Sequence, residues 1–451
     1  MSLSHRSDIT LRRAANSGFS LVEVLVALTL GLLLMTGIFT LFTGIHGTNK
    51  VQNGLARLQE NGRFALMRME TDLRMAGGQF CSNTTGASAR NTHIPVLPAR
   101  APMVYAKDLK LPDSKLNSIN ASGNPDPASA TAPYLLSPRW FMQGYSCTAT
   151  ACTPALTQSD TGIPNMALAA GGRVRGSDVL TVRYQRGTGW TIPANSCSVP
   201  AGNSITGGTV ITVRPQAGDD PFNMTASNSV PGLALVSDCV SPAILPISAV
   251  NTGSGTLTVA GSILNGATGN LCNGSQVRDV RLFDFRDDFV TVSFYLVYRA
   301  DDSPDASPNS ANAQRLIPVL VRRENGVEQE LVRGVDQLAF LYGVKRGDGT
   351  TQMMTASQIQ GAAASTCSAP SPGMALEPGC LWRSVRTIEP HLLVNSVDEV
   401  GRLDAASRTY RFNGTLTNSP PATATLPSGL QVGNMNRREF VGLFSVRNGN
   451  L

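Results

Sequence analysis

The chain has 451 residues, of which 42% are hydrophobic and only 15% charged, with 43 glycines and 27 prolines. That balance suits a loop-rich β domain and argues against a helical enzyme. The formal net charge of +6 comes almost wholly from arginine, since lysine occurs five times; over this length it is too small to signal a nucleic-acid partner and reads as solvated surface charge.

Residues 1–18 carry Arg6, Arg12 and Arg13 against Asp8 and contain no apolar segment, so removing them lowers the net charge to +4. In a secretory signal the apolar region precedes the cleavage site and is lost with it. Here the apolar run begins after Gly18 and would survive a cut there. Val24 to Ile45 holds no Asp, Glu, Lys or Arg. At about 1.5 Å per residue, these roughly 22 residues suffice to cross a bilayer core of about 30 Å. The reading is a membrane anchor over about residues 21–45, with the preceding arginines on the cytoplasmic side and the remainder outside. Glu23 lies at the head of this span, and a carboxylate at membrane depth costs several kcal/mol unless a partner compensates it.

The run GFSLVEVLVALTLGLLL, with its basic leader, glycine, aromatic first residue and spaced glutamate, resembles the N-terminus of type IV prepilins and the related pseudopilins. The resemblance implies that a prepilin peptidase cuts after Gly18 and that Phe19 becomes the methylated N-terminal residue. It also implies that Glu23 meets the N-terminal amine of a neighbouring subunit in the filament, which would compensate its burial. The implied partners are the prepilin peptidase, the major pilin and other minor pilins, with the inner membrane holding the protein before assembly. The implied location is a single-pass inner-membrane protein with a periplasmic C-terminal domain, and then the pilus.

An apolar stripe continues at three- and four-residue steps through Val51, Leu55, Leu58, Ala65, Met69, Leu73 and Ala76, with Lys50, Arg57, Glu60, Arg63 and Asp72 on other faces. Gly77 and Gly78 end it. One long helix from about Phe19 to Ala76 follows, thinned at Gly31, Gly37 and Gly44.

Residues 79–176 are rich in Ser, Thr, Asn, Ala and Pro and predict a loop-rich, disulfide-bearing region. Eight cysteines lie beyond the anchor, on the side where disulfides persist. Cys147 with Cys152 and Cys367 with Cys380 are close enough to clip a loop each; Cys81, Cys197, Cys239 and Cys272 leave three pairings open. No CxxC occurs and histidine is scarce, so no metal or other cofactor is expected.

Over residues 177–451 the two-residue alternation of strands takes over, at 178–184, 208–214, 280–285, 289–299, 315–323 and 337–344. Asp287 and Asp288 read as a hairpin between two of these strands, and GDGTT at 347–351 as a tight turn. The fold class is therefore α+β: a long N-terminal helix, leader apart, over residues 19–78, then a mostly antiparallel β-sheet domain. The blocks LVRGVDQLAFLYGV (331–344), WRSVRTIEPHLLV (382–394) and RREFVGLFSVRN (437–448) resemble strand blocks of the PilW family of minor pilins. Pro390 and His391 break the expected apolar run, and the proline predicts an edge, bulge or strand break.

No nucleophile elbow, HExxH, Walker loop or post-strand GxGxxG is present, so no catalytic residue is assigned. Asp301, Asp302 and Asp305 lack the glycine and glutamate of a calcium loop and read as a solvated turn. The function implied is a minor pilin that promotes pilus assembly at or near the tip. The alternatives are a minor pseudopilin of a type II secretion system and a tip adhesin or DNA-uptake subunit.

Overall fold

In the computed structural model, the described residues are 20–79, 102–107, 133–136, 138–193, 196–198, 205–215, 222–225, 232–237, 242–264, 280–301, 316–346, 349–362, 380–397, 409–417 and 435–446. The chain divides into two compact units, Met1–Asn53 and Gly54–Leu451. Helix α1, Leu21–Met75, contributes to both.

In the first unit the side chains of α1 from Leu21 to Lys50 are all exposed. Its mean hydropathy reaches 2.4 over an 18-residue window, enough to cross a membrane by length and composition. The hydroxyls of Thr29, Thr36, Thr43 and Thr48 donate to carbonyls four residues back, and that of Thr40 to Gly37 O, at 2.7–3.0 Å. The threonine hydroxyls are thereby satisfied within the helix, as a hydrocarbon surrounding requires. The helix runs unbroken through Gly31, Gly37 and Gly44, where an added Cβ would meet nothing within 4 Å.

The second unit is built on β-sheets. A six-stranded sheet has, in spatial order, Val327–Arg333, Leu316–Glu324, Phe289–Ala300, Val179–Gln185, Met142–Cys147 and Cys152–Thr153. A five-stranded sheet runs Thr351–Met354, Val335–Lys345, Val385–Asn395 and Arg437–Val441, with Phe444–Ser445 also pairing to the 385–395 strand. A nine-stranded sheet gathers the other strands between Met103 and Asp284. Among the described strands every pairing is antiparallel except that of 103–104 with 243–244.

The continuous apolar run at 289–300 has a two-sided cause. Val292, Phe294 and Leu296 enter the core shared with α1 and the five-stranded sheet, while Tyr295 and Val297 fill a separate core on the opposite face. A strand buried on both faces has no solvent side on which polar residues are favoured.

Three expectations are corrected. The 281–284 strand pairs with 190–191 and 232–237, whereas 289–300 pairs with 179–185 and 316–324. Residues 285–288 therefore join two sheets and form no hairpin. The Asp284 carboxylate accepts from the N–H groups of Arg286 (2.8 Å) and Asp287 (3.3 Å), and the Asp288 carboxylate accepts from Asp284 N–H at 2.8 Å. Asp288 thus carries a structural bond that a hairpin tip would not have required.

Pro390 lies inside an eleven-residue strand, paired with Phe340. Its carbonyl accepts from Gly442 N–H at 3.3 Å, at the interruption between the 437–441 and 444–445 strands. In a strand the N–H and C=O of one residue point the same way, so the N–H that proline lacks faces that interruption. The break falls in the neighbouring strand and not at Pro390.

The α1 stripe also differs in detail. Leu55 is exposed, while Asp72, expected on a polar face, is 1% exposed and packed inward.

The 335–345 and 351–354 strands pair antiparallel, with Arg346 N–H donating to Thr350 O at 2.8 Å and Gly349 at φ 85°; residues 347 and 348 of the expected turn lie outside the described set. A short helix, Ala356–Gly361, follows, and Thr355 and Gln358 close a capping box at its start.

Candidate assembly site

Gly18 and Phe19 lie outside the described residues. Glu23 stands in the first turn of α1 and is exposed, among the exposed apolar side chains Leu21, Val22, Val24 and Leu25. The N–H groups of Glu23 and Val24 both donate to Ser20 O, at 3.0 and 3.2 Å, which starts the helix two residues after Phe19. A carboxylate near the positive end of a long helix is favourably placed.

In the second unit the remainder of α1 is seated on the sheets. Leu58, Gly62, Ala65, Met69, Asp72 and Leu73 form its buried face. Two contacts with the C-terminal block set its approach. A Cβ on Gly62 would come within 2.5 Å of the Phe440 ring, and one on Gly442 within 3.3 Å of Leu66 Cδ2. The absence of side chains at these glycines is what lets helix and terminal strand approach so closely. The helix ends as expected: Gly77 adopts φ 71° and donates to Arg183 O at 2.9 Å, and Gly78 donates to Met75 O.

Beneath the helix lies a charged network. Arg322 donates from Nε to Asp72 Oδ2 (2.7 Å) and from Nη2 to Asp72 Oδ1 (2.8 Å), and Tyr184 Oη donates to the same Oδ1 at 2.7 Å. Arg322 Nη1 donates to Glu324 Oε2 at 2.5 Å, and Glu324 accepts from Arg186 at 2.8 Å at the solvent edge. Burial alone would lower the Arg322 guanidinium's hold on its proton, but the bonds to Asp72 and Glu324 outweigh it and the net direction is upward. The Tyr184 hydroxyl is pushed up to about 12, by burial first and then by the Asp72 charge. Two-point binding of a carboxylate by a guanidinium fixes orientation as well as distance.

Sequence reasoning missed Gly62 and Asp72, yet their signal was positional. Gly62 falls four residues after Leu58 and three before Ala65, and Asp72 three after Met69, so both sit on the apolar stripe.

The terminal RREF segment holds a second set of contacts. Arg437 Nε donates to Asp336 Oδ2 at 2.8 Å, and Asn395 Nδ2 donates to Asp336 Oδ1 at 2.8 Å. His391 lies between two carboxylates, Nδ1 at 2.7 Å from Glu439 and Nε2 at 2.8 Å from Glu389, so it has specific partners on two strands. Arg447 and Asn448 lie outside the described residues.

A disulfide joins Cys147 and Cys152. Cys81, Cys239, Cys272 and Cys367 lie outside the described residues, and nothing of the Cys197 and Cys380 side chains is described. Of the acidic cluster, Asp302 and Asp305 lie outside the described residues, and Asp301 is buried and lines a cavity of about 250 Å³ with Arg57 and Arg333. Among the described residues no group of three or more His, Cys, Asp or Glu is arranged to hold a metal.

Residues 13–39 match the prokaryotic N-terminal methylation motif, and residues 295–448 match type IV pilus-assembly protein W, PilW. Neither a curated protein nor a solved structure matches the chain. The first match covers the segment from the leader into the exposed part of α1; the second covers the five-stranded sheet and the Arg322, Asp336 and Phe440 contacts. Both belong to structural proteins of pilus assembly rather than to catalysts. One apolar helix among the described residues, ahead of an antiparallel β domain, and these two matches in order support a type IV pilus minor pilin similar to the PilW family, of the kind processed by prepilin peptidase.

Proposed function

We propose that the peptidase cuts after Gly18, that Phe19 becomes the methylated N-terminus, and that Glu23 then pairs with the N-terminal amine of a neighbouring pilin. The observation that carries this reading is the isolation of Glu23. It is the acidic residue of an apolar span whose side chains are exposed along its length, within the segment that matches the methylation motif. Removing such a surface from water or lipid into a filament demands a partner for its charge.

Before assembly the span rests in the inner membrane with the second unit in the periplasm; the excess of Arg6, Arg12 and Arg13 ahead of the span supports that orientation. In the filament the protein occupies the tip and promotes initiation, next to the major pilin and other minor pilins. The large second unit favours a terminal place, since a capping subunit has no neighbour beyond it to crowd.

The test is mass spectrometry of the N-terminus of the chain made with and without active prepilin peptidase. The expected result is a methylated Phe19 terminus with the peptidase and an intact leader without it. An intact leader in both samples refutes the proposal.

A further inference from the structure

The Cys147–Cys152 disulfide closes the hairpin between the 142–147 and 152–153 strands, and both cysteines are half-buried, within reach of solvent. Arg173 approaches it from a separate segment. Its backbone is fixed by the N–H bond to Asn165 O at 2.9 Å and by bridges to Met166 and Val297. Its side chain is buried, with Nε donating to Pro164 O at 3.3 Å. The two ends of the guanidinium are divided between the sulfurs: Nη1 lies 3.3 Å from Cys147 Sγ and Nη2 3.3 Å from Cys152 Sγ.

This is an unusual place for a buried cation. A neutral disulfide sulfur is a weak acceptor, so two charged N–H donors gain little from it, whereas a thiolate is an anion and a strong acceptor. Asp178, whose charge acts on Arg173, spends its oxygens on the N–H groups of Cys147 (2.9 Å) and Phe340 (3.1 Å). Burial lowers the Arg173 pKa to about 10, with Asp178 opposing, which leaves the guanidinium charged at neutral pH.

We propose that Cys147 and Cys152 form a thiol–disulfide exchange site, in which Arg173 stabilises the thiolate released when a dithiol reductant opens the bond. One thiolate of the reductant attacks either sulfur, forming a mixed disulfide and expelling the other sulfur as a thiolate onto the Nη group that faces it. The second thiol of the reductant then displaces the first cysteine and leaves as a cyclic disulfide. Two electrons pass from the dithiol to the two cysteine sulfurs; one sulfur takes a proton, the other stays a thiolate against Arg173, and the remaining proton goes to solvent. Because each sulfur has its own Nη, either can be the leaving group. Selective stabilisation of the thiolate raises the reduction potential of the pair and the exchange rate at neutral pH. Opening the bond releases the 152–153 edge strand beside Asp178, a carboxylate that joins the six-stranded sheet at Cys147 to the five-stranded sheet at Phe340.

The test uses the full chain in detergent, equilibrated with dithiothreitol at graded ratios of reduced to oxidised form, then alkylated and digested with trypsin. The peptide Trp140–Arg173 contains Cys147 and Cys152 and no other cysteine; in Arg173→Gln it extends to Arg175 and gains none. Arg173→Gln is expected to need about a tenfold higher reducing ratio for half-reduction, about 30 mV, and Arg173→Lys to stay within about threefold of the unsubstituted chain. Equal or easier reduction of a folded Arg173→Gln chain overturns the proposal. If circular dichroism shows that variant unfolded, the unsubstituted chain decides. Once reduced, its alkylation at these cysteines should titrate clearly below the free-thiol value of about 8.5, and an inflection at or above that value overturns the proposal.

Discussion

Arg322 holds Asp72 through two hydrogen bonds of 2.7 and 2.8 Å, with both side chains almost wholly out of solvent, so an acid near the end of α1 is locked to the 316–324 strand of the six-stranded sheet. Such a pair is a poor source of net stability but an effective determinant of register. Its desolvation cost offsets much of its attraction, while losing one member strands the other as a buried charge.

Arg322→Met is therefore expected to destabilise the second unit by about 3–5 kcal/mol, and Asp72→Leu by a similar amount. The double variant is expected to recover much of that loss. Thermal or urea unfolding of the four chains checks this; fully additive losses would show that the two residues do not act as a pair.

Gly62→Ala places a methyl group 2.5 Å from the root of the Phe440 ring, which cannot swing clear without moving the terminal strand. The expected cost is about 1–3 kcal/mol. Adding Phe440→Leu should relieve part of it, read as a positive coupling in a double-mutant cycle of unfolding free energies. No coupling would mean that helix and strand separate to admit the methyl group.

Glu23→Ala should be cleaved as efficiently as the unsubstituted chain, since it keeps Gly18 and Phe19, yet enter sheared pili at least tenfold less. Immunoblots of the membrane and pilus fractions separate the two steps. Normal incorporation would show that the carboxylate is not an assembly contact.

Asp178 and Asp284 should give stability an inverse dependence on pH under acid conditions. Burial raises each carboxyl from 3.8 to about 6 in the folded chain, against their backbone hydrogen bonds. Between those values the folded state holds protons that the unfolded state has released, so their contribution falls as pH rises from about 4 to 6 and is level above that. Each carboxyl is worth on the order of 3 kcal/mol across the window. Asp284→Asn retains an oxygen for the Arg286 and Asp287 N–H groups and removes one titration. A plot of Tm against pH should then be shallower over pH 4–6; an unchanged slope would place the pH dependence elsewhere.

Much of this protein was legible in the linear chain because the relevant physics is local. An uncharged run long enough to span a bilayer, a glycine pair that ends a helix and strands that alternate or run wholly apolar all express the surroundings of a few consecutive residues. Helix α1 and the strands Val179–Gln185, Phe289–Ala300, Leu316–Glu324 and Val335–Lys345 accordingly fall close to where periodicity places them, whereas Gly232–Ser237, Ala243–Asn251 and Thr256–Val259 are strands where it placed none. The tertiary structure alone decided which strands share a sheet, since pairing partners lie far apart in sequence. It separated 281–284 from 289–300 and gave Pro390 a harmless place beside a broken neighbour. It also turned Asp72 inward, because a carboxylate's fate depends on whether a guanidinium waits 250 residues away, and brought Arg173 onto a disulfide that spacing alone could suggest but not furnish with a charge.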